Sequence, residues 1–292
     1  MLTTLAQRWR EGRATYRPSG ELFDPRGWFV EEIHNDRTPR AFVAAHHYLR
    51  TLPPTRRRFG LYAPGGALAG VAVFCVPSRD EVLSPLPGGR DASATLGRFV
   101  LLDEVRANSE TWFLSRALAV LRREGWAGVV SFSDPFPRTD AAGAVTFPGH
   151  IGNLYQALGA VYLGRARSEG LLLLPDGRSF DRRTLSKALR GERGQRYAVA
   201  QLVAAGAIAP SAGEDLGAWS RAWVPRVTRR VKHPGTLKYV FPLAAGAKRD
   251  VKRVVGAGLP YVKLCDVGLC SAATPKHRPG CTRNTPFVGG GP

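Results

Sequence analysis

Three clusters of residues carry the chemistry that this sequence could perform. The first is Ser131, Ser133 and Asp134 within WAGVVSFSDPFPR. Val129, Val130 and Phe132 read as a short buried strand that ends at this polar group, and ligands of open α/β sheets sit beyond the carboxyl ends of strands. A carboxylate at Asp134 could orient or deprotonate an exocyclic amine; the competing role is an Asp that caps the turn before Pro135. The second cluster is His46, His47 and Tyr48. An imidazole near neutral pH suits proton transfer or metal ligation, although a His pair on a short helix is more often structural. Consecutive helical residues point about 100° apart, so only one of the two His can share the apolar face. The third is Cys265, Cys270, His277 and Cys281, a C-x4-C-x6-H-x3-C series. Three thiolates and an imidazole could close a tetrahedral zinc site and order a tail with almost no core of its own. The spacing differs from ordinary zinc knuckles, and chance cysteines in a Gly/Pro-rich tail are the alternative.

Arg98 beside Gly97, and Asn108 with Ser109 at a helix start, could meet a cofactor phosphate, because helix N-termini present unpaired N–H groups and the positive end of the dipole.

Positioning these groups requires a sheet. Residues 95–165 read as strand, helix, strand, helix, strand. Trp112, Leu114, Ala117, Leu118 and Leu121 follow helical spacing until Gly125 stops the helix; a second helix carries Asn153, Leu154 and Tyr155 into a strand at Ala160 to Leu163. Upstream, AFVAAHHYLRTLP is a short helix ended by Pro53 and Pro54. RRFGLYAPGGALAGVAVFCVP is a hairpin turned at Gly65 and Gly66, with Cys75 as a reduced core thiol. LLLL at 171–174 supplies one more buried strand. The expected fold is α/β, a mixed central sheet flanked by helices.

Composition changes at Asp181. DRRTLSKALRGERGQRYAVAQLVAAGA reads as two helices, basic on one side and apolar on the other. AWSRAWVPRVTRRVKHPGTLKYVFPL adds Trp residues among cations and a strand-like ending at Tyr239 to Phe241; stacking on bases and packing on the core are both open to those Trp residues. The expected organisation is a lead-in with one short strand at 1–39, a catalytic core at 40–180, a basic helical appendage at 181–243 and a basic tail at 244–292.

Forty-two Lys and Arg against 23 Asp and Glu give a net charge of +19, which implies a polyanionic partner unless it reflects only an Arg-rich genome. Arg56, Arg57, Arg58, Lys187, Arg190, Arg229, Arg230 and Lys232 are the candidate phosphate grips. No apolar run approaches the ~20 residues that cross a bilayer, and the N-terminus has Arg and Glu where a signal peptide has its apolar core, so a cytoplasmic protein away from membranes is expected.

The element order, with Asn153, Tyr155 and Gly159 loosely echoing a final-helix motif, resembles the GNAT acetyltransferase superfamily. More narrowly, SFSDP, GHIGNLYQALGAVYLGR and RRVKHPGTLKYVFPL are similar to the Mom-type DNA-modification proteins of bacteriophages, over roughly residues 40–243. The resemblance implies a GNAT-like core in a bacterial host cell that attaches a small acyl or carbamoyl-type group to N6 of adenine in DNA, either duplex with base flipping or single-stranded. It implies His47 and Tyr48 in the active pocket, and Tyr155 as the acid that protonates a departing thiolate of an acyl-CoA-like or other activated donor. Where a GNAT has its Gly-rich pyrophosphate loop, this chain has DEVRANSETW, without glycine. A GNAT N-acyltransferase acting on a protein or small-molecule amine, and a non-enzymatic nucleic-acid-binding protein, are the other readings.

Overall fold

A computed structural model describes residues 5–255, 259–267 and 269. In chain order its strands are β1 (Leu5–Arg10), β2 (Arg13–Pro18), β3 (Phe29–Glu32), β4 (Thr55–Tyr62), β5 (Leu68–Cys75), β6 (Ser93–Leu101), β7 (Gly128–Ser133), β8 (Arg138–Thr139), β9 (Val145–Phe147), β10 (Val161–Arg165), β11 (Glu169–Leu173), β12 (Arg229–His233) and β13 (Leu237–Pro242). The helices are α1 (Arg37–His46), α2 (Gly89–Ala92), α3 (Ser109–Arg123), α4 (Asn153–Ala157), α5 (Arg182–Arg190), α6 (Gln195–Ala204), α7 (Leu216–Val227) and α8 (Ala247–Val255). None of the described helices is long and apolar enough to cross a membrane.

The chain divides into two compact units. The first comprises Met1–Pro135, Gly149–Arg165 and Thr236–Pro292. It holds a seven-stranded sheet in the order β10-β13-β7-β6-β5-β4-β3, antiparallel except for the parallel pair β6/β7. The mixed sheet with flanking helices is the expected one. Residues 69–75 of β5 are buried on both faces, as a central strand requires. Alternation sorts the side chains: Val129 and Tyr239 face one core with Phe59, Phe113, Leu114 and Leu121, while Val130 and Val240 face a smaller core with Leu83, Leu86 and Val251. The apolar stripe of α3 stops at Gly125, which has φ +82.

The second unit comprises Phe136–Pro148 and Ala166–Gly235. Helices α5, α6 and α7 surround a core of Leu174, Phe180, Ala188, Leu202 and Trp219, and β11 pairs with β12 in a separate two-stranded ribbon.

Several expectations change. The lead-in contains a full hairpin, β1/β2, and its later strand β3 is the edge of the central sheet. The LLLL strand belongs to the ribbon, because its partner is Arg229–His233 rather than a core strand. Tyr239–Phe241 leaves the basic appendage and inserts between β7 and β10. The glycine turn after β4 is longer than two residues: Ala63 N–H bonds to Ala67 O at 2.8 Å, with Gly65 and Gly66 at φ +98 and +88. Helix α1 stops at His46, and His47 takes extended backbone, so the two His never share a helix.

Candidate functional site

Pairing between β6 and β7 ends at Leu96 and Ser131, although β6 runs on to Leu101 and β7 to Ser133. The two strands part there, and the residues that line the parting come from short, tightly fixed segments.

On the β6 side, the register against β5 shifts at Gly97, between Arg98 and Leu96. Such a bulge re-aims the side chain that follows. Arg98 Nε donates to Thr51 O at 2.8 Å and Nη2 to Thr51 Oγ1 at 3.2 Å. Burial lowers the Arg98 pKa, opposed by Tyr48 and Cys75. Cys75 is a free, buried thiol whose pKa burial pushes up to about 11.

On the β7 side, Ser131 and Ser133 are fully buried and Asp134 is nearly so. The segment Gly149–Gly152 crosses over this strand end, where His150 N–H donates to Asp134 O at 2.8 Å. A Cβ on Gly149 would lie 2.9 Å from Pro135 O, and one on Gly152 would lie 2.7 Å from Tyr155 Cδ2 and 2.9 Å from Tyr239 Cε2. Their φ values of +78 and +76 require glycine as well.

Tyr155 on α4 is buried, its ring 5.5 Å from Tyr239 and 5.9 Å from Phe241. Burial raises its pKa and an interaction with Ser131 partly offsets the rise. The phenol therefore stays protonated beside the residue at which the strands part. Behind it, Tyr239 Oη donates to Ile151 O at 2.6 Å and accepts from Gln156 Nε2 at 3.1 Å. Burial pushes the Tyr239 pKa to about 12.

His47 caps the carboxyl end of α1, 6% exposed, with its ring stacked on Tyr48 at 4.2 Å. Its Nδ1 accepts the Leu49 N–H at 3.1 Å. Burial first, then Arg98, then His150, holds its pKa well below the usual imidazole value. A neutral imidazole whose Nδ1 is an acceptor carries its proton on Nε2. His47 is thus a hydrogen-bond donor at Nε2 and has no basic nitrogen left to offer.

His47 stacks on Tyr48 and lies near Arg98 and His150, the His150 N–H is tied to Asp134 O, and Tyr155 lies near Ser131. Asn108 and Ser109 do not join them. Asn108 Nδ2 donates to Ser19 O and Glu21 O at 3.1 and 2.9 Å, and Ser109 Oγ donates to Arg106 O at 2.7 Å. The start of α3 is filled from within the chain. Arg8, fully buried, pairs with Glu110 and donates to Val105 O and Arg106 O at 3.0 and 2.8 Å. The Ala107 N–H, which an anion would need, donates to Glu21 Oε2 at 3.0 Å. Bonding to Arg17 and to that N–H lowers the Glu21 pKa to about 2, so a full carboxylate stands there. The Ala107 N–H and the Asn108 and Ser109 side chains are thus engaged from within the chain.

The Arg triplet is tied within the first unit. Arg56 donates to Ser93 O at 2.7 Å and lies 4.4 Å over Trp126; Arg57 donates to Glu32 at 2.8 Å and to Glu124; Arg58 donates to Asp36 at 2.8 Å. All three arginines are engaged by partners within the chain. Arg190, Arg229, Arg230 and Lys232 are exposed and Lys187 half-buried, all in the second unit. Trp219 is buried in that unit's core and Trp223 packs against it, partly buried. Cys270, His277 and Cys281 lie outside the described residues; Cys265 falls on a single helical turn at Leu264–Val267. Among the described residues no group of His, Cys, Asp and Glu could hold a metal.

Sequence reasoning missed Tyr239, Gln156, His150 and Arg8. The Gly-His-Ile-Gly run was a readable signal for His150, since paired glycines mark close backbone approach. Nothing local marks Arg8, whose partners lie about a hundred residues away.

A scan of protein families matches residues 27–261 to the Mom protein family. The chain belongs to that family. Family membership makes it a DNA-modification protein with DNA as its substrate. No curated protein matches it. Among solved structures, a tandem GNAT protein from the clavulanic acid biosynthesis pathway is 10% identical, covering 75% of this chain and 99% of its own, with a TM-score of 0.39. A nourseothricin acetyltransferase is 12% identical, covering 83% and 86%, with a TM-score of 0.27. The strand order itself carries the description of the fold.

Proposed function

We propose that this Mom-family chain transfers a small acyl or carbamoyl-type group from an activated donor to N6 of adenine in DNA, at the parting of β6 and β7. The observation that supports this reading most is the set of polar groups assembled there: a nearly buried carboxylate at Asp134, a protonated phenol at Tyr155 and a neutral imidazole at His47, each with a different proton inventory.

The N6 lone pair is delocalised into the purine ring, so attack on a carbonyl needs proton removal and stabilisation of the oxygen. Asp134 takes the N6 proton as the N–C bond forms. His47 Nε2–H donates to the carbonyl oxygen as it gains charge, a role that its occupied Nδ1 dictates. Tyr155, beside Ser131, gives its proton to the leaving group as the bond between that group and the carbonyl carbon breaks. Arg98 and Tyr48 hold His47 in place, since the Tyr48 ring stacks on it and Arg98 disfavours its protonation. The adenine must leave the helix stack to meet side chains buried at a strand end, at a cost of a few kcal/mol. The donor is left as an activated acyl or carbamoyl compound, because the Ala107 N–H and the Asn108 and Ser109 side chains at the α3 start already have partners within the chain.

DNA from cells expressing the wild-type chain, digested to nucleosides, is expected to contain a heavier deoxyadenosine that Asp134→Asn abolishes. Equal yield from Asp134→Asn would remove the carboxylate from the mechanism.

A further inference from the structure

Residues 182–196 contain six cations, Arg182, Arg183, Lys187, Arg190, Arg193 and Arg196, against one acid, Glu192. The second unit spends its acids elsewhere. Asp181 caps α5 by accepting the Thr184 N–H at 2.9 Å, Asp215 caps α7 by accepting the Gly217 N–H at 2.8 Å, and Glu192 accepts the Ser186 hydroxyl at 2.6 Å. Arg182 reaches Glu169 at 3.8 Å, while Arg183, Lys187 and Arg190 have no ion pair among the described residues. In the first unit Arg8, Arg10, Arg17, Arg57, Arg58 and Arg90 pair with its own carboxylates.

The unpaired cations are arranged. Thr184 and Ala188 face the unit's core, which turns Arg183, Lys187 and Arg190, at i, i+4 and i+7, onto one outward face of α5. Seven residues at 1.5 Å each make a stripe about 10 Å long, the axial reach of about three phosphates on one DNA strand. Helix α5 is capped by Gly191 and α6 begins after Gly194, both with positive φ, so a four-residue turn carries exposed Arg193 to α6, where exposed Arg196 precedes Tyr197, 56% exposed. On the ribbon, Arg230 and Lys232 share a face, and Gly170 opposite them leaves room for the Arg230 guanidinium, whose Nε would lie 3.0 Å from a Cβ there. Leaving like charges together unpaired costs stability, which only an external polyanion returns.

We infer that the second unit docks duplex DNA by its phosphate backbone, through the α5 stripe Arg183, Lys187 and Arg190 continued by Arg193 and Arg196, and not through the arginines of β4. This rests on DNA being the substrate, and it assigns affinity to one unit while the chemistry stays in the other. Backbone contacts carry no sequence information, so docking is independent of sequence and steep in salt.

The test uses the full chain and a fluorescent 30-base-pair duplex, with affinity measured across a salt series. The variant Arg183→Gln/Lys187→Gln/Arg190→Gln removes three charges from the stripe. The control Arg13→Gln/Arg37→Gln/Arg79→Gln removes three exposed charges from the first unit. Circular dichroism verifies that both fold. The stripe variant should bind at least ~10-fold more weakly, with the log–log salt slope reduced by ~0.9 per lost phosphate contact, about 3 in all, while the control stays within ~3-fold of wild type. Equal losses in both variants would overturn the inference, since bulk charge would then suffice. So would a stripe variant with undiminished duplex affinity, or wild-type chain that prefers anionic vesicles to DNA. A nucleoside mass analysis of the same proteins separates this from the proposed chemistry: binding lost with modification never detected in wild type would fault the chemistry and leave the docking surface standing.

Discussion

A Cβ placed on Gly97 would lie 2.5 Å from Sγ of Cys75, well inside van der Waals contact. The β6 bulge thus exists because a buried thiol on β5 occupies the space of a side chain, and the bulge sets the direction of Arg98. Gly97→Ala is expected to cost about 1–3 kcal/mol, the range for overpacking. Cys75→Ala should remove most of that penalty, so a double-mutant cycle by chemical denaturation should give a coupling above ~1 kcal/mol; independent effects would mean that the strands relax freely.

Tyr155 and Tyr239 touch yet have separable roles. Tyr239→Phe strips Ile151 O and Gln156 of a partner inside the protein and should lower stability by about 1–2 kcal/mol. Tyr155→Phe should leave the melting temperature nearly unchanged while reducing modification ~100-fold or more, the scale of a lost general acid. A Tyr155→Phe protein as active as wild type would assign the phenol to packing alone.

His47 makes the fold sensitive to acid. Its folded pKa lies below the ordinary 6.5, so between those two values the unfolded chain binds a proton that the folded chain refuses. Its contribution is intact above pH 6.5 and is lost as the pH falls through that window. His47→Asn, which keeps an acceptor for the Leu49 N–H, should flatten the fall in melting temperature between pH 7 and pH 5. Parallel curves would show that other groups carry the acid sensitivity.

The filled start of α3 predicts that saturating coenzyme A leaves the melting temperature unchanged, whereas a ligand seated on that loop would raise it by mass action. The same region predicts that Arg8→Met costs about 3–5 kcal/mol, because Glu110 loses its partner in a buried setting. Thermal shift measurements check both.

The central strands, the α3 stripe and the Ser131 to Asp134 strand end were legible because their signals are local: period, length and stop residues. The β1/β2 hairpin was not, since its purpose is Arg8, whose acceptors lie near Val105 and Arg106. The assignment of Tyr239 to the central sheet was also hidden, because the intervening second unit separates β13 from β10 in sequence while the two pair in space. The internal ties of Arg57 and Arg58 were hidden for a general reason: charge in sequence is visible, but the carboxylates that pair with it, Glu32, Asp36 and Glu124, become neighbours only on folding.

The central claim is transfer to the adenine amine at the β6/β7 parting, and tandem mass spectrometry of nucleosides from DNA of expressing cells tests it most directly. The account predicts a heavier deoxyadenosine whose added mass stays with the base fragment after loss of deoxyribose, absent with Asp134→Asn and Tyr155→Phe. Added mass on the sugar or on another base, or unmodified DNA alongside abundant folded wild-type protein, would contradict it.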